Sequence, residues 1–269
     1  MAIFRAALPI WALFLFALGA HAQPPQPFHP GEILTYHVRF GFIMAGRCWF
    51  EVQRDKQGRD VFTVTGQSND FISTFYPTKD IATSYCDPER QCSVRFFQDR
   101  REGKRHCWED TFFYYSFGKG STQSYTTGEI KWFDIPPGRQ LQDKLSVIYH
   151  MRRQDWKTSV SHAAVIGNDK GCFEMEASKT DAGTITLDDF APIPAFKAEP
   201  SSTYLSGFLK KAKVHVWVSD DDFKVPLRIA IKAVFGTLTV ELVKVENIPG
   251  WPYQKDGRLK FHPHISSKS

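Results

Sequence analysis

The C-terminal third of the chain repeats apolar residues at every second position: Val214, Val216 and Val218, then Leu227, Ile229 and Ile231, then Leu238, Val240 and Leu242, each alternating mostly with polar or small residues. A period of two places successive side chains on opposite faces of a strand, so these runs predict strands with one buried face. The opening repeats the pattern. Leu34, Tyr36, Val38 and Phe40 alternate with Thr35, His37 and Arg39; Cys48, Phe50 and Val52 follow the turn-like Gly41 to Gly46, and Phe62 and Val64 mark a third strand. Gln53 to Gly58 is a polar turn, and Ser219 to Phe223 and Val234 to Gly236 supply later connections, so the chain reads as a meander of hairpins. Phe112 to Phe117 and Phe173 to Ala177 are further strand candidates, and 23 phenylalanines and 9 tyrosines suit pleated packing.

One segment breaks the pattern. Leu141, Leu145, Ile148 and Tyr149 fall at helical spacing, with Asp143 near the start and Arg152-Arg153 at the end, where charges complement the helix dipole. The expectation is an all-β fold in the main, a large curved antiparallel sheet with one short helix packed on it.

Residues 1–5 end in Arg5, an apolar run covers Ala6 to Leu18, and Gly19-Ala-His-Ala22 offers small residues to a signal peptidase. This predicts a signal peptide over 1–22. A membrane span needs roughly 20 apolar residues; this run is shorter and contains Pro9, so no transmembrane segment is expected after cleavage. The organisation read from sequence is a signal peptide 1–22, a proline-rich lead-in 23–30, a single β-rich domain 31–246 and a polar C-terminal tail 247–269. Periplasmic or secreted localisation follows. Losing Arg5 takes the formal charge from +5 to +4, and the charges are interspersed, with no basic block or stripe. Nucleic acid is therefore not expected as a partner, whereas weak attraction to an anionic surface stays open.

Five cysteines lie beyond the signal: Cys48, Cys86, Cys92, Cys107 and Cys172. In an oxidising compartment thiols tend to pair. The expectation is two disulfides among Cys86, Cys92, Cys48 and Cys107, with Cys86 and Cys92 the nearest local loop and the connectivity open.

Several segments taken in order resemble a known bacterial family: Pro30-Gly-Glu-Ile-Leu-Thr-Tyr36 with Ala45-Gly46, Phe75-Tyr-Pro-Thr-Lys-Asp80, Asp143-Lys-Leu-Ser-Val-Ile-Tyr149 with Arg152, Val216-Trp-Val-Ser-Asp-Asp221 with Pro226-Leu, and Gly236-Thr-Leu-Thr-Val-Glu-Leu242. Together they resemble domain of unknown function 3108, DUF3108. The resemblance implies a secreted or periplasmic β-rich domain, a curled antiparallel sheet of roll or barrel type, and supplies no catalytic residues. This chain carries more cysteines than the family pattern leads one to expect.

The residues advertise little chemistry. Asp220-Asp221-Asp222 offers oxygens to calcium but reads first as a hairpin turn, and Asp188-Asp189 reads the same way. Cys86, Cys92, His106 and Cys107 have the donor types of a zinc site without its spacing, and His262 and His264 sit on a polar tail. Ser146 and His150 lie about one helical turn apart with no third group to orient the base. No metal, cofactor or catalytic residue is assigned. The aromatic segments, Phe71 with Phe75 and Tyr76, Trp108 with Phe112 to Tyr115, and Trp132-Phe133, read first as core filling. In the alternative, Phe71, Phe75, Tyr76, Trp108 and Trp132 line a ligand groove with Arg95, Arg100 and Lys131 at its rim. The leading functional reading is a non-catalytic envelope protein binding an amphipathic ligand, a lipid or glycan, or an envelope protein partner. Assembly through sheet edges and a hydrolase acting on envelope polysaccharide or lipid are the alternatives.

Overall fold

The computed structural model describes residues 26–202, 213–233 and 236–255. The expected signal peptide, His262 and His264, and Val234 and Phe235 lie outside the described residues. Strand β1 (Ile33–Phe40) takes the first alternating run and pairs on one side with β2 (Ile43–Arg54) and on the other with the last strand, β15 (Gly236–Glu246). Leu34 faces Phe50 and Val245, and Tyr36 faces Cys48 and Leu242, so the inward positions of three strands meet in one row.

From β2 the sheet runs outward through β3 (Asp60–Ser68), β4 (Thr78–Asp87), β5 (Cys92–Glu102), β6 (Arg105–Tyr114), β7 (Lys119–Ser124) and β8 (Ile130–Asp134). From β15 it runs the other way through β14 (Pro226–Ala233), β13 (Lys213–Ser219), β12 (Ile193–Ser202), β11 (Gly171–Ile185), β10 (Ser161–Asn168) and β9 (Leu141–Gln142). Among the described residues this is one fifteen-stranded sheet, antiparallel except where β9 lies parallel to β10.

The connection between the two edges shows that the sheet is rolled. A flat sheet of fifteen strands would hold its edges roughly 65 Å apart at about 4.8 Å per strand. Residues 135–140, which join edge strand β8 to edge strand β9, reach at most roughly 25 Å. Register shifts in the pairings of β1 with β2 and β15, of β4 with β5, of β11 with β12 and of β13 with β14 supply local curvature, as bulges do. The seam is stitched by Tyr115, whose hydroxyl donates to the Ser93 carbonyl at 2.7 Å and accepts from the Leu141 amide at 3.2 Å, and by the Cys172 thiol donating to the Asp134 carbonyl at 3.2 Å. Close approach there requires glycine: a Cβ on Gly120 would stand 2.1 Å from the Phe133 ring, and one on Gly167 would stand 2.7 Å from Phe113. We expect Gly120→Ala to cost about 1–3 kcal/mol through forced repacking, read as a lowered urea midpoint; an unchanged midpoint would show that the Phe133 ring has room to move aside.

Among the described residues two α-helices sit on this sheet where one was expected. α1 (Asp70–Ser73) is a single turn between β3 and β4, opened by Asn69, whose side chain accepts from the Ile72 amide. α2 (Ser146–Arg152) is the expected helix, shortened. Leu141 belongs to β9, because its backbone pairs beside Val165 before the helix begins. Asp143 Oδ1 accepts from the amides of Leu145 and Ser146, and Ser146 Oγ accepts from the Asp143 amide at 2.8 Å. That reciprocal pair is a capping box. α2 then closes the inside of the roll: Tyr149 stacks on Phe62 at 3.8 Å between ring centres, with Phe28 edge-on to both. Phe28 comes from the proline-rich lead-in, and beyond β15 Ile248, Trp251 and Tyr253 pack on the cluster built around Leu34, Tyr36 and Leu242.

The cysteine pairing expected from sequence is corrected: all five cysteines are free. Register is the physical reason. Cys86 faces Ser93 across the β4–β5 hairpin while Cys92 faces Asp87, so the two side chains leave opposite faces of the sheet. Cys48 faces Tyr36 and Gly66, Cys107 faces Arg100 and Cys172 faces Gly167. Burial pushes the Cys48 thiol up to about 12 and raises Cys86 further, so neither is a ready nucleophile.

Candidate functional site

The concave face of the roll carries a run of small side chains. Ala198 on β12 faces Val216 on β13, which faces Ile229 on β14, and Ala177 on β11 faces Pro200. Opposite them α2 presents Ile148 and Met151, and the chain after it presents Trp156. Two alanines cannot fill the gap between helix and sheet, and an apolar cavity of about 150 Å³ remains between these elements. Among the described residues its only charged lining groups are Arg152 and Lys224. A narrower crevice shares Ile148, Arg152, Pro226 and Ile229 with it and runs on to Tyr36 and Tyr149.

The polar groups around the cavity are of two kinds. Some are consumed by the fold. Arg152 binds Glu32 through both terminal nitrogens, at 2.5 and 3.1 Å, and donates to the carbonyls of Pro27 and Phe223. The Tyr36 hydroxyl donates to the Pro226 carbonyl at 2.8 Å. Others remain available. Among the described residues the buried Tyr149 hydroxyl has no hydrogen-bond partner, and Lys224, half-buried at the β13–β14 turn, forms no ion pair.

The aromatic residues singled out in the sequence are not here. Core filling, the first reading of those segments, holds for Phe113 and Phe133, which are buried, but Phe71, Phe75, Tyr76, Trp108 and Trp132 are exposed. They also fall into separate groups: Phe71 on α1 with Phe75 just after it at 5.8 Å, Trp108 with Tyr125 at 4.5 Å, and Trp132 with Tyr114 at 6.1 Å. Of the cations set at the rim of that groove, Arg95 chelates Asp110, Arg100 lies by Glu102, and Lys131 by Glu129. The cavity residues that sequence reasoning passed over, Met151, Trp156, Ala177 and Ala198, carry no chemical signature. Only the alternation of small residues with larger ones on β11 and β12 hints at them.

The other candidates take structural parts. Asp221 Oδ1 accepts from Ser219 Oγ and the amides of Phe223 and Lys224, which makes the turn between β13 and β14. The Asp188 carbonyl accepts from Lys255. Ser146 serves the capping box and His150 Nδ1 lies 3.4 Å from Gln142, so their helical spacing assembles no relay. His106 binds Asp99 at 2.7 Å, and no group of three or more His, Cys, Asp or Glu gathers among the described residues in a form that would hold a metal ion.

No curated protein matches the chain. A beta-barrel-like protein of domain of unknown function DUF1849 from Brucella abortus superposes with a TM-score of 0.55 at 8% identity, over 80% of this chain and 96% of that one. This is a likeness of fold, and it agrees with a sheet rolled nearly closed. A protein from Bacteroides fragilis with a YmcC-like fold covers 82% of this chain and 97% of its own at 8% identity, but its TM-score of 0.31 is too low to bear on the fold. Residues 35–243, the span matched by the model of the proteins of unknown function DUF3108, reach from β1 into β15 and take in α2, and the chain belongs to that family.

Proposed function

We propose that the chain is an exported, non-catalytic binding protein that holds the apolar end of an amphipathic molecule, such as a lipid acyl chain, between α2 and the concave face of the roll. The observation that carries this is the apolar cavity of about 150 Å³ under α2. It is small beside drug-sized sites of roughly 300–1,000 Å³, which fits the tip of a chain and not a whole headgroup. Lys224 at its edge suits an acidic head. Export is supported by the signal-like residues 1–22. No helix among the described residues is long and apolar enough to cross a membrane.

The test is to fill the cavity. Ala198→Phe puts a ring where the chain end would lie. Each buried methylene contributes about 0.8 kcal/mol, so losing a few of them should weaken binding of a fluorescent fatty acid by about tenfold to a hundredfold, with the fold retained by circular dichroism. Equal binding by the variant and the wild type, or no binding by either, would remove this reading.

A further inference from the structure

The hairpin order places alternate turns at the same end of the roll. The turns β1–β2, β3–β4, β5–β6 and β7–β8 and the adjoining ends of β14 and β15 share one rim, and hydrogen bonds join each to the next. Gly41 donates to the Thr237 carbonyl, Asn69 donates to the carbonyls of Met44 and Ala45, Gly103 donates to the Pro77 carbonyl, and Trp108 and Tyr125 are bonded across the last step. The sequence scatters the large apolar residues of these turns; the fold collects them. Phe42 is 94% exposed at the tip of β1–β2, Phe75 and Phe71 are 76% and 66% exposed on the α1 turn, and Tyr76, Trp108 and Tyr125 are exposed beside them. So many exposed aromatics along a single rim are unusual for a surface that meets only water.

The charge of the same rim specifies its partner. Arg39, Arg47, Lys79, Lys104 and Arg105 lie on these turns and strand ends and make no ion pair among the described residues, whereas Asp99 already holds Arg101 and His106, Glu102 holds Arg100, and Glu129 holds Lys131. Against these five cations stand Asp70, Asp80 and Glu109, carboxylates that likewise make no ion pair among the described residues, so the unpaired charge of the rim stays positive. Aromatic side chains seat at the headgroup level of a bilayer, and unpaired Lys and Arg are drawn to anionic lipid. We infer that this rim is a docking surface for an anionic lipid bilayer, with Phe42, Phe71 and Phe75 entering the interface and Lys104, Arg105 and their neighbours over the headgroups. The protein rests on the membrane by this end without spanning it.

Flotation of the purified protein with vesicles of phosphatidylglycerol and phosphatidylcholine, against phosphatidylcholine alone, tests the inference. Wild type floats with the anionic vesicles, and added salt weakens this. Phe42→Ser with Phe75→Ser, and separately Lys104→Glu with Arg105→Glu, reduce the floated fraction about tenfold. These side chains are at turns and exposed, so an unchanged unfolding midpoint confirms the variants fold. Ala198→Phe floats like wild type, which separates failure of the cavity reading from failure of this one. No flotation, flotation unmoved by the rim variants, or rim variants that instead convert a lipid-free dimer to monomer would overturn it, the last by showing that the rim covers a second copy of the chain.

Discussion

Arg152→Met is expected to destabilise the protein by about 3–5 kcal/mol, because it leaves Glu32 as a buried charge without a partner. The two side chains are 2% and 0% exposed. The guanidinium also donates to the carbonyls of Pro27 and Phe223, so one side chain at the end of α2 ties together the lead-in, the start of β1 and the β13–β14 turn. Its guanidinium carbon lies 5.6 Å from the centre of the Phe28 ring and 5.5 Å from that of Tyr149. Arg152→Lys keeps the charge but lacks the fork that meets both Glu32 oxygens and two carbonyls, so it should recover only part of the loss. The double variant Glu32→Leu with Arg152→Met removes both charges together and should lose well under the sum of what Glu32→Leu and Arg152→Met lose singly. Urea unfolding of the four proteins measures this coupling. If Arg152→Met costs under about 1 kcal/mol, water reaches the pair and the closed interior is wrong.

The strands were legible because burial on one face writes itself into alternation. Leu34 and Tyr36 stand two positions apart on β1, Leu227 and Leu242 belong to alternating runs on β14 and β15, and all four are buried in the structure. Position along a strand is not written in that way. Trp108 and Phe113 lie on one strand, yet Phe113 is buried near the seam and Trp108 is exposed near the rim. An aromatic run without alternation does not tell these apart. Leu141 sits at a helical spacing from Leu145, but its backbone finds Val165 first, a partner distant in sequence. The cysteines misled because compartment argues for pairing while register decides it. The cavity was illegible for a different reason: it is made by what Ala177 and Ala198 lack, and those residues meet only after β11, β12 and α2 have packed.

Asp143→Ala is expected to cost about 3 kcal/mol or more, through loss of a helix cap and four donors left without an acceptor. Asp143 is 1% exposed. One of its oxygens takes the amides of Leu145 and Ser146 at the start of α2, and the other takes the hydroxyls of Ser84 on β4 and Ser93 on β5. It therefore fixes both the start of the helix and its seat on the sheet, the same seat that sets the cavity. Asp143→Asn keeps the capping oxygen and places an amide against two hydroxyls that also accept, so it should cost far less at neutral pH. Its pH dependence carries the sharper test. Burial raises the Asp143 carboxyl above its ordinary value, against the lowering effect of Ser84, Ser93 and the two amides. The folded state then holds the proton more tightly than the unfolded chain, whose value is about 3.9. Stability from this group is fully present below that value and is lost as pH rises through the higher folded value. Asparagine does not titrate, so the advantage of wild type over Asp143→Asn should shrink as pH rises from mildly acidic toward neutral. An advantage that grows over that range would mean that four donors outweigh burial and hold Asp143 ionised in the core.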